Sequence, residues 1–166
     1  MGSAAIVVMG VAGSGKTSVG ERLAARLEVP FRDSDEFHPA ANIAKMSAGI
    51  PLDDEDRWPW LDAIGAALHD AGPDGIVIAC SALKRIYRER IAKAADRPVR
   101  FVFLDGSVAT LRQRIGARRG HFMPPSLLDS QLATLERPAA DEPAVTVSVE
   151  PALEQVVETA ISRLGF

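Results

Sequence analysis

Residues 10–17 read Gly-Val-Ala-Gly-Ser-Gly-Lys-Thr, a string of the form G-x-x-x-x-G-K-[ST] in which each part has a use in handling phosphate. Gly10, Gly13 and Gly15 permit backbone conformations that a Cβ would forbid. The N–H groups of Val11, Ala12, Ser14 and their neighbours can therefore turn inward around phosphate oxygens. Lys16 is expected to reach the β- and γ-phosphates and the Thr17 hydroxyl to bind Mg²⁺, with Ser18 following on the same helix. The start of that helix adds partial positive charge. The implied ligand is a nucleoside triphosphate.

Further polar groups cluster at intervals downstream. Asp33-Ser34-Asp35 places two carboxylates at the end of a short apolar stretch. One of them would hold the Mg²⁺ shell, and the other would accept a proton from an attacking hydroxyl or orient it. The same residues also suit a turn that caps the next helix. The segment at about 35–60 is dense in polar groups: His38, Asn42, Lys45, Asp53, Asp54, Asp56 and Arg57. Singly, His38 or Lys45 reads as a solvated surface residue; collectively they suit a pocket for a polyhydroxylated, anionic molecule. Lys84 and Arg85 open a helix, where the macrodipole disfavours cations, and so point to an anion nearby. Arg114, Arg118 and Arg119 lie beside Gly116 and Gly120. This pattern suits a lid at about 116–125 that closes over phosphates and sets arginines against the transferred charge. An RNA-binding basic loop fits less well, because aromatic residues are not interleaved with the arginines.

These groups need a scaffold, and the hydrophobic pattern supplies one. Apolar runs predict strands at Ala4–Met9, Phe31–Asp33, Ile76–Ala79, Arg100–Leu104 and Ala144–Val149. Helical stripes separate them: Val19, Leu23 and Leu27; Leu61, Ile64, Leu68 and Ala71; Val108, Leu111 and Ile115; Leu128, Leu132 and Leu135; and Leu153 to Leu164. Pro151 suits the first turn of the last helix. Asp53 could cap a helix through Trp58, but Pro59 predicts either a kink or a later start at Trp60. Alternating strands and helices imply an α/β fold of three layers, a mostly parallel sheet with helices on both faces. Ligands in such sheets bind beyond the carboxyl ends of the strands, which is where the polar clusters fall.

The chain has 166 residues, 47% of them hydrophobic and 25% charged, values that predict one globular domain spanning 1–166. Nineteen basic residues against 22 acidic ones leave a net charge of -3, so no global field favours nucleic acid. The single cysteine, Cys80, rules out an intramolecular disulfide and reads as a small buried side chain. The N-terminal apolar run is too short to span a membrane. A cytoplasmic location with no membrane partner is the expectation.

Several longer strings resemble one family, the small P-loop gluconokinases that make 6-phosphogluconate. They are D-S-D-E-F-H-P-A-A-N-I-A-K-M-S-A-G-I-P-L-D-D-E-D-R-W-P-W-L from Asp33 to Leu61, C-S-A-L-K-R-I-Y-R from Cys80 to Arg88, A-R-R-G-H-F-M from Ala117 to Met123, and Q-L-A-T-L-E-R-P from Gln131 to Pro138. Shikimate kinases share the phosphate loop and paired aspartates, but not H-P-x-x-N-I-x-K-M or C-S-A-L-K. The resemblance implies five parallel strands in the order 2-3-1-4-5, ATP and Mg²⁺ as co-substrates, D-gluconate as acceptor and a homodimer. It places Lys16, Asp35 and Arg118 in catalysis, and Asp33 with Thr17 at the metal. It further implies Arg114 and Arg118 beside the nucleotide, and Asp35, His38, Arg57, Lys84 and His121 against the acceptor. The alternatives are a shikimate-kinase-like enzyme with a different small acceptor, or a nucleotide-dependent switch. A guanine-reading N-K-x-D string is expected of a switch, and Asn42-Ile43-Ala44-Lys45 does not match it.

Overall fold

The computed structural model describes residues 4–117 and 125–166. In chain order the elements are β1 (Ala4–Met9), α1 (Lys16–Leu27), β2 (Phe31–Asp33), a 3-10 turn (Ser34–Phe37), α2 (Ala40–Ser47), α3 (Asp54–Asp70), β3 (Gly75–Ala79), α4 (Arg85–Ala95), β4 (Arg100–Asp105), α5 (Val108–Ala117), α6 (Pro125–Thr134), β5 (Ala144–Ser148) and α7 (Leu153–Leu164). The five strands form one parallel sheet in the order β2-β3-β1-β4-β5. Among the described residues no helix is long and apolar enough to cross a membrane.

β1 occupies the centre, and all of its residues are buried. Its side chains alternate between two cores, as a strand covered on both faces requires. Ala5, Val7 and Met9 pack with Leu61, Ile64 and Leu68 of α3 and Tyr87 and Ile91 of α4. Ala4, Ile6 and Val8 pack with Val19 and Leu23 of α1 and Val156, Val157 and Ala160 of α7. Each large apolar side chain so enclosed contributes about 1.5–3 kcal/mol relative to exposure. The contact between α3 and α4 is close enough to require glycine. A Cβ on Gly65 would overlap the Ala94 methyl and lie 2.8 Å from the Ile91 carbonyl oxygen.

The structure decides one point that the pattern left open and differs from it in two others. First, α3 takes the earlier of its two possible starts: Asp53 caps it, and it begins at Asp54 and runs through Pro59. Asp53 and Asp56 form a reciprocal cap, each side chain accepting from the other's backbone N–H at 2.7 and 3.0 Å. That cap, with Trp60, Leu61, Ile64 and Leu68 buried behind it, offsets the single hydrogen bond that proline removes. Second, α2 carries no apolar stripe. Its one buried residue is Asn42, so hydrophobic periodicity could not reveal it. Third, Pro151 precedes α7, which Ala152 caps, rather than sitting in its first turn.

Candidate active site

The loop after β1 turns sharply into α1 at the carboxyl edge of the sheet. Gly13 and Gly15 hold φ values of 82° and 89°, the left-handed region where a side chain is strained. Gly13 is doubly constrained, since a Cβ there would lie 2.9 Å from the Leu111 carbonyl oxygen. Gly15 caps α1 with no side-chain hydrogen bond, so the helix presents bare N–H donors to an anion. Lys16 Nζ donates to the Val11 carbonyl at 3.2 Å, laying its ammonium back over the loop. The Ser14 hydroxyl is buried with no partner among the described residues, and Ser14 lines a cavity beside the loop. A ligand there can supply the missing bond.

A cleft of about 800 Å³ runs from Gly13, Lys16 and Thr17 across the ends of β2 and β3 to α2 and α3. Asp33 and Asp35 both line it, Asp33 from the end of β2 and Asp35 from the 3-10 turn that follows. Asp33 caps the turn, as its sequence allowed, and also reaches the phosphate loop. Its Oδ1 accepts from the Asp35 N–H at 3.0 Å, capping the turn, and its Oδ2 accepts from Thr17 Oγ1 at 3.4 Å. One hydroxyl and one carboxylate beside the phosphate loop suit a magnesium ion that takes its remaining ligands from phosphate and water. Burial raises the Asp35 carboxyl above its ordinary range; repulsion from Asp33 adds to this, while His38 and Lys16 oppose it.

The polar set at 35–60 divides into lining and bracing residues. His38 and Arg57 line the cleft. Arg57 Nη1 donates to the Leu52 carbonyl at 2.8 Å and to the Tyr87 hydroxyl at 3.3 Å. Lys45 instead pairs with Asp56 at 2.8 Å, and buried Asn42 donates to the Asp56 carbonyl at 2.9 Å. These bonds fasten α2 to the start of α3 and so form one wall. Lys84 is not among the lining residues, although its neighbours Leu83 and Tyr87 are. Its ammonium lies 3.2 Å from Asp54 Oδ1, which also accepts from the Tyr87 hydroxyl. The Arg57 and Lys84 cations each sit 5.5 Å from the Tyr87 ring centre, so both cations expected from sequence gather on one aromatic residue.

On the other side of the loop, a smaller cavity of about 260 Å³ is bounded by Gly13, Ser14, Gly15 and Ser18 and faced by Arg114, Val149 and Pro151. Arg114 Nη2 donates to the Val149 carbonyl at 2.6 Å, holding the guanidinium beside the loop. Arg118 and His121, with most of the expected lid, lie outside the described residues. Cys80 is buried at the end of β3, and burial pushes the thiol up to about 11, which suits a packing residue and not a nucleophile.

Several contributors were not apparent from spacing. Gln131 of α6 lines the cleft and accepts from the Ala12 N–H at 2.6 Å. Trp60 donates to the Ser34 carbonyl at 2.8 Å and stacks on His38. Arg88, with a side chain 2% exposed, pairs with Glu142 at 2.7 Å and donates to the Ala82 and Glu136 carbonyls. It thereby holds Ala82 at the uncommon φ of 45° in the loop after β3. The strings around Gln131 and Arg88 were visible, but the partners of both residues are remote in sequence.

A parallel sheet of this order, a phosphate loop before its first helix and a polar cleft across the strand ends together define a P-loop kinase, an ATP-dependent phosphotransferase. The family model for shikimate kinase matches residues 12–164. A gluconokinase of Gluconobacter oxydans (strain 621H) is 50% identical over 163 residues, covering 94% of this chain and 88% of that protein. The thermosensitive gluconokinase of Escherichia coli (strain K12) is 48% identical, covering 86% of this chain and 76% of that protein. The crystal structure of a gluconokinase from Sinorhizobium meliloti 1021 superposes with a TM-score of 0.87 at 50% identity, covering 97% and 91% of the two chains. The chain belongs to the gluconokinase family, within the shikimate-kinase-like P-loop kinases.

Proposed function

We propose that this chain transfers the γ-phosphoryl group of ATP to the 6-hydroxyl of D-gluconate, giving 6-phospho-D-gluconate and ADP. The observation that carries this reading is the cleft itself. One wall is the phosphate loop, and the other presents Asp35, His38 and Arg57, a carboxylate, an imidazole and a guanidinium suited to a polyhydroxylated acid. The triphosphate would lie along the loop, with its base toward the cavity faced by Arg114 and Pro151. A planar guanidinium can stack on a planar base, and a proline ring offers it an apolar face.

The acceptor carboxylate would dock toward Arg57, with Lys84 close behind it. Asp35 would receive the proton of the attacking hydroxyl as the new O–P bond forms in line with the breaking bond to the β-phosphate oxygen. Lys16 would neutralise charge on the transferred group. Thr17 and Asp33 would hold Mg²⁺, which when bound screens the phosphate oxygens. Arg118 and His121 are proposed to complete the site from the lid, with Arg118 set against the transferred charge and His121 against the acceptor. Most of the catalysis is positioning and electrostatics, because this transfer needs no covalent enzyme intermediate. A single kinase domain over 1–166, a cytoplasmic location and a homodimer complete the proposal.

The test is an assay with ATP, Mg²⁺ and D-gluconate in which 6-phosphogluconate dehydrogenase converts product to an NADPH signal. Gluconate-dependent NADPH formation is expected. ATP hydrolysis unaffected by gluconate, with no NADPH, would overturn the assignment; turnover of shikimate in the parallel assay would redirect it.

A further inference from the structure

One buried amide dictates how the cleft's histidine can act. Asn42 is 3% exposed, and its side-chain nitrogen lies 2.9 Å from the Asp56 carbonyl and 3.2 Å from His38 Nδ1. A carbonyl only accepts, so the amide nitrogen must be the atom facing it, and this settles the orientation of the Asn42 side chain. The second hydrogen of the same NH₂ group then points to Nδ1, which must accept. The proton of the neutral ring therefore resides on Nε2. Stacking on Trp60, with centroids 4.4 Å apart and planes within 9°, prevents the ring from turning away. Trp60 is itself held by its bond to the Ser34 carbonyl. Among the described residues Nε2 has no partner, and the residue lines the cleft.

We propose that His38 acts as a fixed neutral hydrogen-bond donor through Nε2–H, reading an oxygen of the acceptor, and that Asn42 is the positioning residue that sets this tautomer. This rests on the proposed polyhydroxy-acid substrate. The oxygen read is one other than the attacking hydroxyl, because a donor on the attacking oxygen would blunt its nucleophilicity. His38 is then a specificity residue and Asp35 alone receives the proton. The ionisable groups facing the ring are Asp35 from the 3-10 turn and Arg57 from α3. Burial keeps the imidazole below its ordinary pKa, opposed by Asp35 and assisted by Arg57, in keeping with a ring that stays neutral at pH 7.

The deciding experiment needs no substrate. Long-range ¹H–¹⁵N spectra of the imidazoles, with His38→Gln used to assign the signal, should show His38 as the Nε2–H tautomer near neutral pH. Asn42→Asp replaces the donor by an acceptor and should switch the ring to Nδ1–H with a raised pKa, while Asn42→Ser weakens the preference. An Nδ1–H signal in the unaltered protein, or one unmoved by Asn42→Asp, would overturn the proposal whatever the substrate proves to be. Kinetically, His38→Gln keeps an N–H donor near the Nε2 position, whereas His38→Leu offers no donor and adds no charge beside Asp35. The former should raise KM for the acceptor by less than about 3-fold and the latter by about 10-fold, the range of a single hydrogen bond, with the loss falling more on KM than on kcat. A collapse of kcat in both variants would instead make His38 the proton acceptor and refute the assignment.

Discussion

Replacing Asp35 by asparagine separates chemistry from architecture at this site. The side chains are nearly isosteric, and the hydrogen bond from the residue-35 backbone N–H to Asp33 Oδ1 does not involve the substituted atoms. The 3-10 turn and the Asp33–Thr17 contact therefore survive, and ATP binding should be retained. What is lost is the carboxylate proposed to receive a proton from the attacking hydroxyl. A positioned base contributes on the order of 10²–10⁴ in rate, about 3–5 kcal/mol of barrier, so kcat should fall by that factor with little change in KM for ATP. The pH dependence follows from the same environment. Burial, followed by repulsion from Asp33, raises the Asp35 carboxyl, so the acid limb of kcat should lie above the ordinary carboxylate range and vanish in the variant. Stability should move the opposite way. A carboxyl whose folded pKa is raised favours folding fully only below its unfolded pKa, and that contribution is lost as pH rises through the folded value. At pH 7 the charged Asp35 opposes folding, so Asp35→Asn should melt at or above the temperature of the unaltered protein. The coupled NADPH assay and thermal melts over pH 4–8 measure all three effects. Near-normal kcat, or a clear loss of stability at pH 7 together with loss of activity, would refute the reasoning.

Three further outcomes are expected. Lys16→Met should fold and melt normally but lose on the order of 10²–10³ in kcat, the cost of removing one electrostatic stabiliser of the transferred charge; the coupled assay measures it. Arg88→Met strips the guanidinium from the nearly buried Glu142, leaving that charge only the Ala139 N–H, and releases Ala82, so it should cost about 3–5 kcal/mol in chemical denaturation. Adding Glu142→Leu should recover part of that loss. Gly65→Ala drives a methyl into Ala94 and the Ile91 carbonyl, and should destabilise by about 1–3 kcal/mol in the same measurement through overpacking.

The strands were legible because each of the central ones is a continuous apolar run, and burial on both faces permits nothing else. β1 and β2 match their expected bounds, and β3, β4 and β5 differ by one residue at an end. α2 was hidden because it is held by the polar bonds of Asn42 and Lys45 and not by an apolar stripe. The passage of α3 through Pro59 was undecided because the strength of a reciprocal cap and of the packing behind it is not a local property.

By itself the sequence determined that phosphate is handled. The spacing of Gly10, Gly13, Gly15, Lys16 and Thr17 is a local constraint, satisfied within one turn between a strand and a helix. It also determined which polar residues were available at the strand ends. Only the tertiary structure decided how those residues divide. Whether a side chain lines a cleft or braces its wall depends on what lies across the gap, and those partners are distant along the chain. Lys45 is taken by Asp56, Lys84 by Asp54, and Ala12 is met by Gln131. His38 is set as a donor because a buried amide on the next helix has both of its hydrogens committed.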